Sequence, residues 1–303
     1  MSAGTVVKGI GGFYFVHDGC DTVMGKARGN LKRNKELIYV GDIVDFDIDE
    51  NDRDGECVIN SVIERRNYLT RPPVSNLDML VVVFSLKQPE VNYPVVDKLI
   101  AGCEIAGIEP VICISKTDLA SEEEVGKALD IYGNVYPAVS INGLSGEGSD
   151  ALREIIKGRR VALAGPSGVG KSTITNLLHH DDEVYGIKAE TGHVSKKTGR
   201  GRHTTRHVEI FPLNDGTMLY DTPGFTSLDL PDLDIRQVRE LFPEFRKYQQ
   251  DCRYADCMHL SEPDCAVKDA LASGSIAQSR YDSYIFMTEE VTSYSKSRPF
   301  PKK

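Results

Sequence analysis

The nine residues "GPSGVGKST", Gly165 to Thr173, constrain this chain of 303 residues more than any other stretch. They satisfy the pattern G-x-x-x-x-G-K-[ST] through Gly165, Gly170, Lys171 and Ser172, with Pro166, Ser167, Gly168 and Val169 as the intervening wall. A loop of this kind turns main-chain N–H groups inward around phosphate oxygens, sends its lysine to the β and γ oxygens, and offers a hydroxyl to Mg2+. The apolar run "RVALA" precedes it and "KSTITNLLH" follows, so a buried strand feeds a helix whose N-terminus points at the anion. The expectation is an α/β domain that binds a nucleoside triphosphate.

Three further segments fit such a domain. "LYDTPGF" delivers Asp221 at the end of a strand, where it can hold a metal-bound water, and Gly224, whose N–H can reach a γ-phosphate because no Cβ blocks the approach. Between it and the phosphate loop, "GRGRHTTRH" reads as a switch loop, with Thr204 and Thr205 as candidate Mg2+ ligands and Thr205 preferred. "ISKTDL", Ile114 to Leu119, reads as a purine loop formed by Ser115, Lys116, Thr117 and Asp118. There Asp118 accepts from the guanine N1–H and exocyclic amine, a contact adenine cannot make, while the Lys116 stem covers the base. Ser115 stands where Asn is usual, which predicts a weaker contact. "VSINGLSGEG" ends the next strand at Ser140 and reads as the loop that backs the base. The purine loop precedes the phosphate loop, the reverse of the usual order in guanine-nucleotide switch proteins.

Apolar strands alternate with amphipathic helices from "DMLVVVFSL" onward, which predicts a mainly parallel sheet covered on both faces. "HVEIFPL" and "TMLYD", joined through Asn214, Asp215 and Gly216, read as an added hairpin. Residues 5–64 instead show short strands broken by Gly, Asn and Asp, the pattern of a small antiparallel barrel. "RRNYLTRPPVSN" is placed as a linker near residues 65–76. The units expected are residues 1–68 as a small β-barrel, for which an oligonucleotide-binding fold and a generic β domain fit the pattern equally, 69–229 as the nucleotide domain, and 230–303 as a helical zinc-binding unit with a basic tail.

That last unit holds "CRYADCMHLSEPDC", which spaces Cys252, Cys257, His259 and Cys265 as C-x4-C-x-H-x5-C. Three thiolates and one imidazole close a tetrahedral shell around one Zn2+ per chain and leave no open position, so the site is read as structural. The chain carries a formal net charge of −9, which argues against wholesale nucleic-acid binding. The charge is uneven, however: residues 45–56 carry seven acids and one Arg, whereas residues 196–207 carry five Lys or Arg and no acid. Local basic surfaces for RNA therefore remain. No apolar run reaches the roughly 20 residues of a membrane span and the start lacks the pattern of a secretory signal, which predicts a cytoplasmic protein with no membrane partner.

The order of purine loop, backing loop, phosphate loop, switch loop and D-x-x-G resembles that of the circularly permuted GTPases. With the N-terminal barrel and its "GDIV", "RRNYLTRPPVSNLD", "GRGRHTT" and the metal knuckle, the chain resembles the RsgA (YjeQ/YloQ) family over almost its whole length. The resemblance implies a GTP hydrolase stimulated by the 30S ribosomal subunit, an oligonucleotide-binding fold, contact with 16S rRNA, and a late assembly or checkpoint role, with a monomer expected. Lys171 and Asp221 are then catalytic. The residue after D-x-x-G is Phe225 rather than a water-orienting Gln, and in the resemblance His203 is the candidate to position the water. A kinase or ATPase is disfavoured by Asp118. The alternative reading is a nonenzymatic RNA-binding scaffold that keeps GTP as a structural ligand.

Overall fold

The computed structural model describes residues 2–29, 31, 37–48, 56–179, 208–222, 224–228 and 233–297. Two compact units divide the chain: Met1–Asp78 with Ile156–Ala162 and Ser172–Gly224, and Met79–Ile155 with Leu163–Lys171 and Phe225–Lys303.

In the first unit, β1 (Ser2–Ile10), β2 (Phe13–His17), β3 (Thr22–Ala27), β4 (Ile43–Ile48) and β5 (Cys57–Val62) close into a five-stranded barrel. β1 pairs antiparallel with β2 and with β4, β2 with β3, and β4 with β5, while β3 and β5 run parallel and complete the circle. Alternate residues Val6, Val16, Val44, Phe46, Cys57 and Ile59 fill its interior, the arrangement expected of short strands with one apolar face. β1 shifts register between Val6 and Lys8 and goes on to pair Lys8 with Glu209. The bulge thus lets one strand serve both the barrel and the hairpin of β12 (Glu209–Pro212) and β13 (Met218–Asp221), which forms as the turn residues predict.

Residues 65–76 are bound to the barrel, where the sequence reads as a free linker. They form the ribbon β6 (Tyr68–Thr70) and β7 (Pro73–Ser75). Arg65 grips the fully buried Asp42 with two bonds of 2.7 and 2.8 Å, Ser75 Oγ donates to the same carboxylate at 2.6 Å, and the guanidinium lies 4.6 Å from the Tyr39 ring centre. An aspartate so enclosed needs these donors, since a buried carboxylate without them costs several kcal/mol, on the order of its desolvation.

The second unit is built on β8 (Met79–Ser85), β9 (Glu109–Ser115) and β10 (Ala138–Ile141), which pair in parallel in the order β10, β9, β8. Every residue of β8 is buried, as a parallel strand covered on both faces requires. The crossovers are α1 (Tyr93–Ala106) and α2 (Glu122–Gly133), the latter opened by a capping box of Ser121 and Glu124. α3 (Ser149–Ile156) leads into β11 (Arg160–Ala164), and α4 (Lys171–His179) follows the phosphate loop.

The C-terminal helices α5 (Ile235–Glu240), α6 (Pro243–Gln249), α7 (Ala266–Ala272) and α8 (Gln278–Ser297) share one core, which includes Val238, Phe242, Phe245, Val267, Tyr284 and Met287. Ala101 of α1 belongs to that same core. The helices are held to α1 by a buried ionic cluster. Arg280, fully enclosed, donates to Asp97 at 2.7 Å and to both oxygens of Glu244 at 2.6 and 3.2 Å, while Tyr132 donates to Asp97 at 2.9 Å. Burial pushes the Asp97 carboxyl upward, and the adjacent guanidinium opposes that shift. No helix among the described residues is long and apolar enough to cross a membrane.

Replacing Arg280 by Met should leave two buried carboxylates without a counter-charge. Urea unfolding of Arg280→Met is expected to show a loss of about 3–5 kcal/mol, against the sub-kcal/mol loss typical of an exposed pair such as Arg253 with Asp264.

Candidate active site and metal centre

The phosphate loop begins where β11 ends. Gly165 has φ +148°, and a Cβ there would lie 2.0 Å from the Val83 carbonyl oxygen of β8, so only glycine lets the loop leave the sheet at this point. The loop then turns through Gly168 and Gly170, both at positive φ, and α4 starts at Lys171 with Ser172 as its second residue. Lys171 Nζ folds back over the loop and donates to the carbonyls of Gly165 at 2.6 Å and Pro166 at 2.9 Å. Its half-buried position lowers its pKa by desolvation, a cost that an incoming phosphate would offset.

The purine loop leaves β9 at Ser115. Register pairs Ser85 with Ser115 and Ser115 with Ile141, so β8, β9 and β10 end in one row and their loops open on one edge. This is where an open parallel sheet places a ligand. Ser115 does not face outward: 3 % exposed, its Oγ lies 3.0 Å from the Phe84 carbonyl and 2.6 Å from the Val169 carbonyl. It therefore binds the purine loop to the phosphate loop. Both acceptors of this hydroxyl are main-chain carbonyls. Lys116 takes the left-handed conformation at φ +55° and its Nζ donates to Gln88 at 2.6 Å, while Asp118 is exposed on the short 3-10 turn Thr117–Leu119. Behind it, the loop after Ser140 is closed by Asn142, whose Oδ1 accepts from Leu144 and Ser145, and by Gly148, where a Cβ would strike the Ser140 carbonyl at 1.9 Å.

β13 ends at Asp221, which is exposed, and Gly224 follows at φ +78°. Phe225 is buried and its carbonyl accepts the Gly165 N–H at 3.0 Å, so the residue after D-x-x-G is fastened to the first residue of the phosphate loop. His203, Thr204 and Thr205 lie outside the described residues. The carbonyls of Val169, Gln88 and Phe225 were not readable as site atoms, because a main-chain acceptor leaves no signal in residue type.

Within the C-terminal core, the ligand atoms of Cys252, Cys257, His259 and Cys265 all lie within 4.8 Å of one another. Cys252 and Cys265 are 3.9 Å apart through sulfur, and His259 Nδ1 is 3.6 and 3.4 Å from them. A tetrahedron with Zn–S near 2.3 Å and Zn–N near 2.0 Å has edges of about 3.8 and 3.5 Å, so the donor set fits Zn2+. Burial pushes the Cys257 thiol up to about 12 and raises Cys265, while it lowers the His259 imidazole toward its neutral, ligating form. Arg239 donates to the Cys257 carbonyl at 2.7 Å and brings positive charge beside what would be a net-negative centre.

Metal uptake must therefore displace thiol protons. Zinc affinity, read by competition with a chromophoric chelator, should fall as pH drops from 8 to 6, by roughly tenfold per unit for each proton displaced. Cys257→Ser should lose the metal and loosen the helices around it; retention of one zinc per chain would contradict the assignment.

Comparison with known proteins gives a consistent set of likenesses. A model described as RsgA GTPase matches residues 62–231, and one described as RsgA N-terminal domain matches residues 3–56. The small ribosomal subunit biogenesis GTPase RsgA of Caldanaerobacter subterraneus subsp. tengcongensis is 40% identical over 296 residues, covering 97% of both chains. The protein of that name from Agathobacter rectalis is 39% identical over 306 residues, covering 97% of this chain and 99% of its own. Among solved structures, YjeQ from Thermotoga maritima superposes with a TM-score of 0.80 at 32% identity, covering 98% of this chain and 99% of its own. YloQ, titled a circularly permuted GTPase, gives 0.78 at 29% identity, covering 99% and 97%.

Proposed function

The chain belongs to the RsgA GTPase family, and from that premise we propose that it acts in small ribosomal subunit biogenesis by binding the 30S subunit, whose contact accelerates its hydrolysis of GTP. GTP hydrolysis itself follows from the family. The observation that carries the site assignment is the hydrogen bond from Ser115 to Val169, which supports reading the purine and phosphate motifs as one pocket despite their reversed order in the chain.

In this reading Asp118 accepts from the guanine edge and Lys116 and Thr117 shape the base slot, with Ser140 on the backing loop. The amides of residues 167–173 surround the phosphates, and Lys171 exchanges its two carbonyl partners for β and γ oxygens. Ser172 and Thr205 are the residues that would hold Mg2+, with Asp221 behind its water shell. When bound, that ion neutralises charge on the phosphate oxygens. Gly224 offers its N–H to the γ-phosphate. Water attacks the γ-phosphorus as the bond to the β–γ bridging oxygen breaks, giving GDP and phosphate. Phe225 is buried and its side chain carries no polar atom, so His203 on the basic loop is assigned to orient that water once the subunit orders it. The barrel and the basic loop at 196–207 are assigned to 16S rRNA, zinc to holding the C-terminal fold, and the protein to the cytoplasm as a monomer.

Turnover measured with GTP and ATP, with and without purified 30S subunits, tests the reading. GTP alone should be cleaved, and faster with subunits; no acceleration would overturn the stimulation. His203→Ala should lower subunit-stimulated turnover by about 100-fold or more, and unchanged turnover would remove that residue from the mechanism. Ser115→Ala should weaken GDP binding about fivefold, the value of one hydrogen bond near 1 kcal/mol, while leaving the preference for GTP over ATP intact, because Asp118 is untouched.

A further inference from the structure

Helix α1 touches both Leu228, four residues after the D-x-x-G glycine, and the C-terminal helices, through two close contacts. The first is at Gly102, in the second half of the helix. A Cβ on it would lie 2.6 Å from Leu228 Cδ1 and 2.8 Å from Leu228 Cβ, so the leucine side chain rests directly on the helix backbone. Leu228 is buried and stands three residues after Phe225, whose carbonyl holds the Gly165 N–H of the phosphate loop at 3.0 Å. Any movement of the turn that recruits Gly224 toward a γ-phosphate therefore strains that bond or shifts Leu228 in its seat.

The second, five residues earlier, is at Asp97. Its position differs from that of Gly102 by about 7.5 Å along the axis and about 140° around it, so the two contacts load different flanks of one stiff element. Asp97 is 1 % exposed and Arg280 2 %, and the guanidinium also engages Glu244 and stacks 4.7 Å from the Phe242 ring centre. Tyr132, from the helix that follows the purine loop, closes on the same carboxylate. Lys98 reaches Glu290 of α8 at 2.6 Å as a second, exposed tether. A buried ion pair cannot yield gradually, because separation leaves charges unpaired in a dry setting. Packed contacts of this kind hold or change over discretely.

We propose that α1 carries the state of the D-x-x-G turn to the zinc-binding helices, with Leu228 on Gly102 as input and Asp97 with Arg280 as output, so that GDP and GTP set different stabilities in α8. This rests on the GTP-site reading above and gives the C-terminal helices a nucleotide-dependent state. Linkage requires the coupling to be reciprocal.

The test is hydrogen exchange over residues 278–293 of the full, zinc-loaded chain, saturated with GDP or with a non-hydrolysable GTP analogue. Wild type should show exchange rates that differ at least fivefold between the two nucleotides. Leu228→Ala, which removes the input without introducing a clash, and Arg280→Lys, which keeps the charge and loses the two-carboxylate fork, should each reduce that difference to under twofold while binding GDP within threefold of wild type. Thermal unfolding and zinc content identify a variant that has failed to fold, and the other then decides. Equal exchange with both nucleotides bound, or a difference that survives in the folded variants, overturns the coupling and leaves the GTP site standing. Failure of either nucleotide to bind overturns both.

Discussion

The hydrogen bond from the Ser115 hydroxyl to the Val169 carbonyl is the contact on which the reading of the nucleotide site depends. It spans 54 residues of sequence and joins two loops that chain order would keep apart. It can form because parallel strands in register end together: β8 and β9 finish opposite one another at Ser85 and Ser115, and the phosphate loop leaves against Val83. The sheet edge, and not the order of connections, builds the pocket.

Much of this was legible in residue type. The phosphate loop and the metal knuckle announce themselves because backbone geometry and ligand chemistry restrict which residues can stand there. The alternation of apolar strands and helices was equally plain, as was the hairpin through Asn214–Gly216. The switch in role at Ser115 was not, since a serine that reads a base and one that binds a carbonyl look the same in a string. Residues 65–76 read as a linker because the rhythm of strands changes there; only the fold reveals Asp42 as the partner that draws Arg65 in. Asp97 was invisible for a related reason. An acid inside "YPVVDKLIAG" has the look of a solvent-facing position, and its counter-charge is 183 residues away.

The two ionic enclosures play different parts. Asp42 with Arg65 and Ser75 fixes a ribbon of chain to the barrel, within one compact unit. Asp97 with Arg280 and Glu244 makes α1 common to the nucleotide-binding sheet and the C-terminal core, so the latter is not an appended module but an extension of the former. The Cys and His cluster inherits this support: Tyr281 and Tyr284, on the helix that carries Arg280, donate to the carbonyls of His259 and Met258.

The distance in sequence between Asp97 and Arg280 also sets a schedule for synthesis. At a ribosomal pace of about 5–20 residues per second, the aspartate is polymerised some 10 to 40 s before its counter-charge. Through that interval the first crossover helix has a carboxylate with nothing to neutralise it, and its native burial is unfavourable. A truncated product ending before Arg280 therefore lacks more than a tail: it keeps the apolar face of α1 but not the cation with which that helix's buried aspartate pairs.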